Sequence, residues 1–180
     1  MKTLILLRHA KSSWDDTVSR DFDRPLNAKG ERAAVTMGRT LRSLNLPFDA
    51  LFASPAVRVE QTLEHFAHGL CRTLAPHWDR RAYLASAATL IDIVREFSDE
   101  TQTVMLAGHN PGLEELVLTL VPHGADEPLR DLVEQKFPTA SVAVIRFDVD
   151  RWADVGDGTG HLLHFVRPRD IDPALGPDRD

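Results

Sequence analysis

Leu4-Ile5-Leu6-Leu7-Arg8-His9-Ala10 is a run of branched apolar residues that stops on a cation and an imidazole. A short apolar run of this kind predicts a buried parallel strand, here residues 3–7. In open α/β sheets, ligands and catalytic groups sit just past the carboxyl ends of such strands. An imidazole there, beside a permanently charged guanidinium, is placed to attack or bind an anion. Taken alone, a histidine after a strand more often packs or caps, so the rest of the chain decides.

The pattern recurs twice downstream. Residues 50–53 read as a second strand, and Ser54-Pro55 opens a helix. Serine caps it, and proline fits the first helical position because its missing N–H would be unpaired there anyway. Val59, Leu63, Phe66 and Leu70 form the inner stripe. Residues 103–107 are a third buried strand. Gly108-His109 follow, and Asn110-Pro111 repeats the cap-plus-proline opening ahead of Leu113, Leu116, Val117 and Leu120.

Between these junctions, Asn27 caps a helix reaching Leu44, with Ala34, Met37, Leu41 and Leu44 on one face. Residues 87–97 form a helix carrying Leu90, Ile91, Val94 and Phe97, and residues 127–134 a short one. Residues 141–147 and 161–166 are late strands joined by a turn around Gly156-Asp157-Gly158. The alternation predicts a three-layer α/β/α sandwich with a mostly parallel central sheet. It is one domain over residues 1–167, with a polar, proline-containing tail, 168–180, left unpacked. Residues 11–26 are a long polar loop, and loops of that length in a compact domain are usually functional or disordered.

Bulk composition sets outer bounds. The 180 residues carry 21 Lys and Arg against 27 Asp and Glu, for a net charge of −6. That balance argues against general nucleic-acid binding, which wants a basic face, but permits one local basic pocket. The single cysteine, Cys71, cannot form an internal disulfide and reads as buried or half-buried. No Cys/His cluster has metal-ligand spacing, so neither metal nor other cofactor is expected. Without an apolar stretch of membrane-spanning length or a signal peptide, the chain reads as cytoplasmic, and the sequence leaves its oligomeric state open.

Parallel strands bring Arg8-His9, Ser54 to Arg58 and Gly108-His109 to one edge of the sheet. Arg58 sits one turn into its helix, and helix N-termini add N–H donors and partial positive charge. Two imidazoles, two guanidiniums and few acids suit a dianion, and phosphate best, since planar guanidinium forks match its oxygens.

Arg8-His9, Leu26 to Gly30 as Leu-x-x-x-Gly, Ser54-Pro55-x-x-Arg58-x-x-Gln61-Thr62 and Gly108-His109 together resemble the histidine phosphatase superfamily, the phosphoglycerate mutase-like group. The wider context looks like its SixA-type phosphohistidine phosphatase branch: Arg8-His9-Ala10-Lys11-Ser12, Arg24-Pro25-Leu26, Tyr83-x-Ala85-Ser86 and Gly108-His109-Asn110-Pro111. The resemblance spans roughly residues 1–147. It implies that His9 is the nucleophile taking the phosphoryl group and that Arg8, Arg58 and His109 hold its oxygens. Phosphoryl transfer asks the protein mainly for positioning and charge neutralisation. His9 must then be unprotonated, whereas His109 works as a donor, in cationic form where the pocket allows. Arg24 is a candidate third guanidinium. Ser54 is a candidate phosphate ligand, though capping alone explains it, and Ala140-Ser141 is placed to offer a backbone N–H.

One departure from the mutase-type pattern is informative. Those enzymes place a glutamate between the second arginine and second histidine motifs, as proton donor to the leaving alcohol. Here no glutamate lies between Glu64 and Glu96. An alkoxide leaves poorly without a proton, whereas a phosphorylated imidazole has a labile N–P bond. The missing acid therefore favours phosphohistidine on a partner protein as substrate. Asp21 and Asp23 remain as candidate proton donors, Asp21 preferred by position. With no large insertion to form a lid, the site is expected to be open; Trp14 reads as a packed loop anchor in preference to a residue flanking the opening. Two alternatives stand beside this reading: a small-molecule phosphomonoesterase on the same fold, and a silent module that only binds phosphorylated partners.

Overall fold

A computed structural model of the chain describes residues 1–14, 20–124 and 128–177. Six strands form one sheet: β1 (Lys2–Arg8), β2 (Ala50–Ala53), β3 (His77–Trp78), β4 (Thr103–Gly108), β5 (Val142–Phe147) and β6 (Gly160–Val166). Their order across the sheet is β3-β2-β4-β1-β5-β6. The first four in that order run parallel to one another, and β5 runs antiparallel to both β1 and β6.

Strand periodicity divides the core between two faces. Leu4 and Leu6 of β1 face one way, against α3 (Ala87–Arg95), α4 (Gly112–Leu120) and α5 (Pro128–Gln135). Ile5 and Leu7 face the other, against α1 (Ala28–Ser43) and α2 (Val57–Leu70). The result is the three-layer α/β/α sandwich with a mostly parallel sheet. Asn27 caps α1 as its sequence position predicts, its side chain accepting from the Gly30 N–H at 2.8 Å. The predicted start of the short helix at Glu127 lies outside the described residues.

Three local expectations are corrected. Ser54 does not cap α2: its N–H still bonds the Ala107 carbonyl of β4 at 3.1 Å. The extended path continues through Ala56, and the helix begins at Val57. Cys71 is exposed at the end of α2, in a left-handed conformation. The tail is not loose over residues 168–177. Pro168 is buried in α6 (Pro168–Ile171), a further turn spans Pro173–Leu175, and Lys29 of α1 donates to the Gly176 carbonyl at 2.5 Å. A proline-rich stretch reads as unpacked locally, but its fixed φ angles suit short turns laid across a helix. Among the described residues, no helix is long and apolar enough to cross a membrane.

Candidate active site

β1, β2 and β4 all end at the same edge of the sheet, which places His9, Ser54 and His109 together. The His9 N–H donates to the Gly108 carbonyl at 3.1 Å, and its carbonyl accepts from the Ala140 N–H at 3.0 Å. The side chain is 8% exposed on the floor of a cleft of about 550 Å³. Nδ1 lies 2.7 Å from the Ala10 carbonyl. A carbonyl only accepts, so Nδ1 carries the proton and Nε2 keeps its lone pair. Burial lowers the His9 pKa to about 3, helped by Arg8, His109 and Arg58 and only partly opposed by the Ala10 bond. The imidazole is neutral at pH 7, as a nitrogen nucleophile requires.

The His109 ring lies tilted against the His9 ring, their centroids 5.3 Å apart. The Arg58 guanidinium donates to His109 Nδ1 at 3.3 Å, so the remaining ring proton sits on Nε2, which donates to Ser54 Oγ at 2.7 Å. Ser54 is therefore a partner of the histidine. The expectation of a cationic His109 is corrected: burial, then Arg58, Arg8 and Arg24, lower its pKa to about 3, against the opposing pull of Asp21. Its cationic form would have to be stabilised by a bound dianion.

Arg8 donates to the Phe137 carbonyl at 2.8 Å, and Asn110 donates to the same oxygen at 2.9 Å. The buried Nε atoms of Arg8, Arg24 and Arg58 have no hydrogen-bond partner among the described residues. Three guanidiniums around one cleft fit an anion rich in acceptor oxygens. Arg24 thus joins the site; it also donates to Ser12 Oγ and to Asp21 at 3.0 Å.

Thr62 on α2 links two of these pieces. Its hydroxyl donates to the Arg58 carbonyl at 2.6 Å and accepts from the Ala10 N–H at 2.9 Å. Gln61 beside it accepts from the Leu26 N–H at 2.8 Å, tying down the far end of the loop. Gly30 lets that loop pass: a Cβ there would lie 2.1 Å from the Lys11 carbonyl oxygen.

The two candidate acids behave differently from expectation. Asp21 does face the cleft, but its carboxylate accepts from Arg58 at 2.9 Å, Arg24 at 3.0 Å and Tyr83 at 2.6 Å. Burial would raise its pKa, yet Tyr83, Arg24 and Arg58 outweigh it and hold the carboxyl well below the usual range. A group so pinned is an acceptor, not a proton source. Asp23 pairs with Arg20 at 2.8 Å and does not line the cleft. Nor does Ala140-Ser141 offer a backbone N–H, since these groups bond the His9 and Pro138 carbonyls. Trp14 is 80% exposed at the cleft, not a packed anchor.

Tyr83 has a part that the sequence did not assign. Its ring meets His109 edge-on at 5.3 Å while its hydroxyl fixes Asp21. The residues walling the outer cleft, Lys136, Thr139, 167–169 and 175–177, were also unassigned. Among the described residues, no group of three or more His, Cys, Asp or Glu gathers as a metal site.

Residues 4–83 match the family described as histidine phosphatase superfamily, branch 1. A full-length relative from Mycobacterium tuberculosis, itself uncharacterized, is 37% identical over 166 residues, covering 91% of this chain and 100% of that protein. The chain belongs to the histidine phosphatase superfamily. Two solved structures assigned as the phosphohistidine phosphatase SixA share the histidine phosphatase fold seen here. The Nakamurella multipartitia protein is 26% identical with a TM-score of 0.79, covering 93% of this chain and 96% of that one. The Agrobacterium tumefaciens protein is 27% identical with a TM-score of 0.75, covering 93% and 98%.

Proposed function

We propose that this histidine phosphatase hydrolyses phosphohistidine on a partner protein through a covalent phospho-His9 intermediate, without a metal. One observation carries the reading: a neutral His9 with its lone pair on Nε2 lies among Arg8, Arg58 and His109 at the ends of three parallel strands. Nε2 attacks phosphorus as the N–P bond of a substrate imidazole protonated on its other ring nitrogen breaks, so the leaving imidazole departs neutral. The arginines neutralise the equatorial oxygens. Because Nδ1 keeps its proton on the Ala10 carbonyl, phospho-His9 is an imidazolium. Water then attacks phosphorus, the Nε2–P bond breaks, and His9 leaves as neutral imidazole, with phosphate taking up the proton.

The substrate class is supported by two features. The only carboxylate lining the cleft among the described residues, Asp21, is held ionised, so it has no proton to give the leaving group. A leaving imidazole tolerates that and an alkoxide does not. The second support is the likeness to structures assigned as SixA. The alternative of a small-molecule phosphomonoesterase draws on the wall that residues 167–169 and 175–177 add around the cleft.

The test is incubation with a histidine-phosphorylated protein, with and without a chelator. Loss of the phosphoryl group in both supports the proposal. Retention of it, or a higher kcat/KM on sugar phosphates and nucleotides, overturns it.

A further inference from the structure

We propose that the mouth of the cleft is a docking surface for an acidic protein segment surrounding the phosphohistidine; this rests on the phosphatase reading above. His9 lies on the floor of a cleft of about 550 Å³, so a phosphoryl group held by Arg8 and Arg58 fills only its base. The outer part is built from other segments. Lys136 follows α5 and Arg169 lies in α6, and both line the cleft. Among the described residues, neither side chain is taken up by a hydrogen bond.

Charge selects the partner. Eight of the described lining side chains are Lys or Arg and one is a carboxylate, in a chain whose net charge is −6. Positive potential is concentrated at one opening of an otherwise acidic molecule, which steers an acidic surface there and repels it elsewhere.

Two large apolar side chains select a protein over a small polyanion. Trp14 and Leu84 line the cleft yet are 80% and 56% exposed. The Arg24 guanidinium stacks over the Trp14 ring at 3.8 Å, fixing one face and leaving the other to solvent. Exposed apolar groups at a site mark an interaction surface, and Trp and Arg dominate the binding energy of such surfaces. A small bisphosphate engages the cations but has no use for the indole.

The probes are two histidine-phosphorylated peptides of equal length, one flanked by Asp, Glu and Leu and the other by Lys, with free phosphohistidine alongside. The acidic peptide should exceed the basic one in kcat/KM by about tenfold at low salt, and the ratio should shrink at high salt. Lys136→Glu with Arg169→Glu should cancel that ratio, Lys136→Gln with Arg169→Gln should reduce it, and Trp14→Ala should raise KM for the acidic peptide with kcat kept. Equal kcat/KM for the two peptides, a ratio that survives the double reversal, or faster turnover of a sugar bisphosphate overturns the proposal. If no phosphohistidine probe is hydrolysed, the phosphatase reading fails by itself. Fluorescence anisotropy of the unphosphorylated acidic and basic peptides then decides docking: selective binding lost on charge reversal supports it, and equal binding overturns it.

Discussion

The Asp21 carboxylate lies 2.9 Å from the Arg58 guanidinium, on the group that the proposed reaction assigns to phosphate. Arg58 is buried, whereas Asp21 is well exposed, so water screens the pair. Arg24 and Tyr83 hold the same carboxylate. An incoming phosphoryl group must share these cations with a negative charge already on them.

Asp21→Asn should therefore tighten inhibition by tungstate or inorganic phosphate about fivefold, the effect of removing one partly screened like charge. The inhibition constant against turnover of a phosphohistidine peptide measures it. An unchanged or weaker constant would place Asp21 outside the anion's reach.

His9→Ala should lower turnover on the order of 10³-fold or more, because the proposed covalent intermediate forms on His9. Rapid quenching of the native protein should trap an acid-labile, alkali-stable phosphoryl label on residue 9, absent from the variant. Native turnover in His9→Ala would sink the covalent mechanism.

Acid should destabilise the fold. His9 and His109 titrate at about 3 when folded, against 6.5 ordinarily. Between those values the unfolded chain binds more protons, so stability rises with pH. The stabilisation is whole above pH 6.5 and is lost as pH falls toward 3, at up to about 1.4 kcal/mol per pH unit for each histidine. Asp21, held below its usual range, adds a loss of the same sign at lower pH. Urea midpoints at pH 7 and pH 5 test this, and His109→Gln should flatten the slope. A pH-independent midpoint would contradict the buried neutral state.

Ser54→Ala should cost about 1–2 kcal/mol, because His109 Nε2–H loses its acceptor. It should also lower kcat/KM about tenfold and shift its pH profile, since the ring is no longer oriented. A serine that merely capped α2 would leave both kinetic readouts untouched.

Arg8, His9, Arg58 and His109 were legible because each stands at a fixed offset from an apolar run, and parallel strands turn that offset into a shared edge. The Ser54 role was hidden by Pro55: serine before proline also signals a helix start, and only the register of β2 on β4 shows the strand running on. Asp21 was legible as a pocket residue but not in its charge state, which depends on Tyr83, 62 residues away. Lys136, Arg169 and the folded 168–177 segment left no local signal. The tail segment's place follows from long-range packing on α1, and its polar, proline-rich composition pointed the other way.

The Thr62 hydroxyl, bonded at once to the Ala10 N–H and the Arg58 carbonyl, ties the backbone beside the proposed nucleophile to that of the proposed anion clamp as a single mechanical part. Neither can drift while the other stays in register. Warming or denaturant should leave catalysis at full strength until α2 detaches, then extinguish it in one step, without a range of partly active forms.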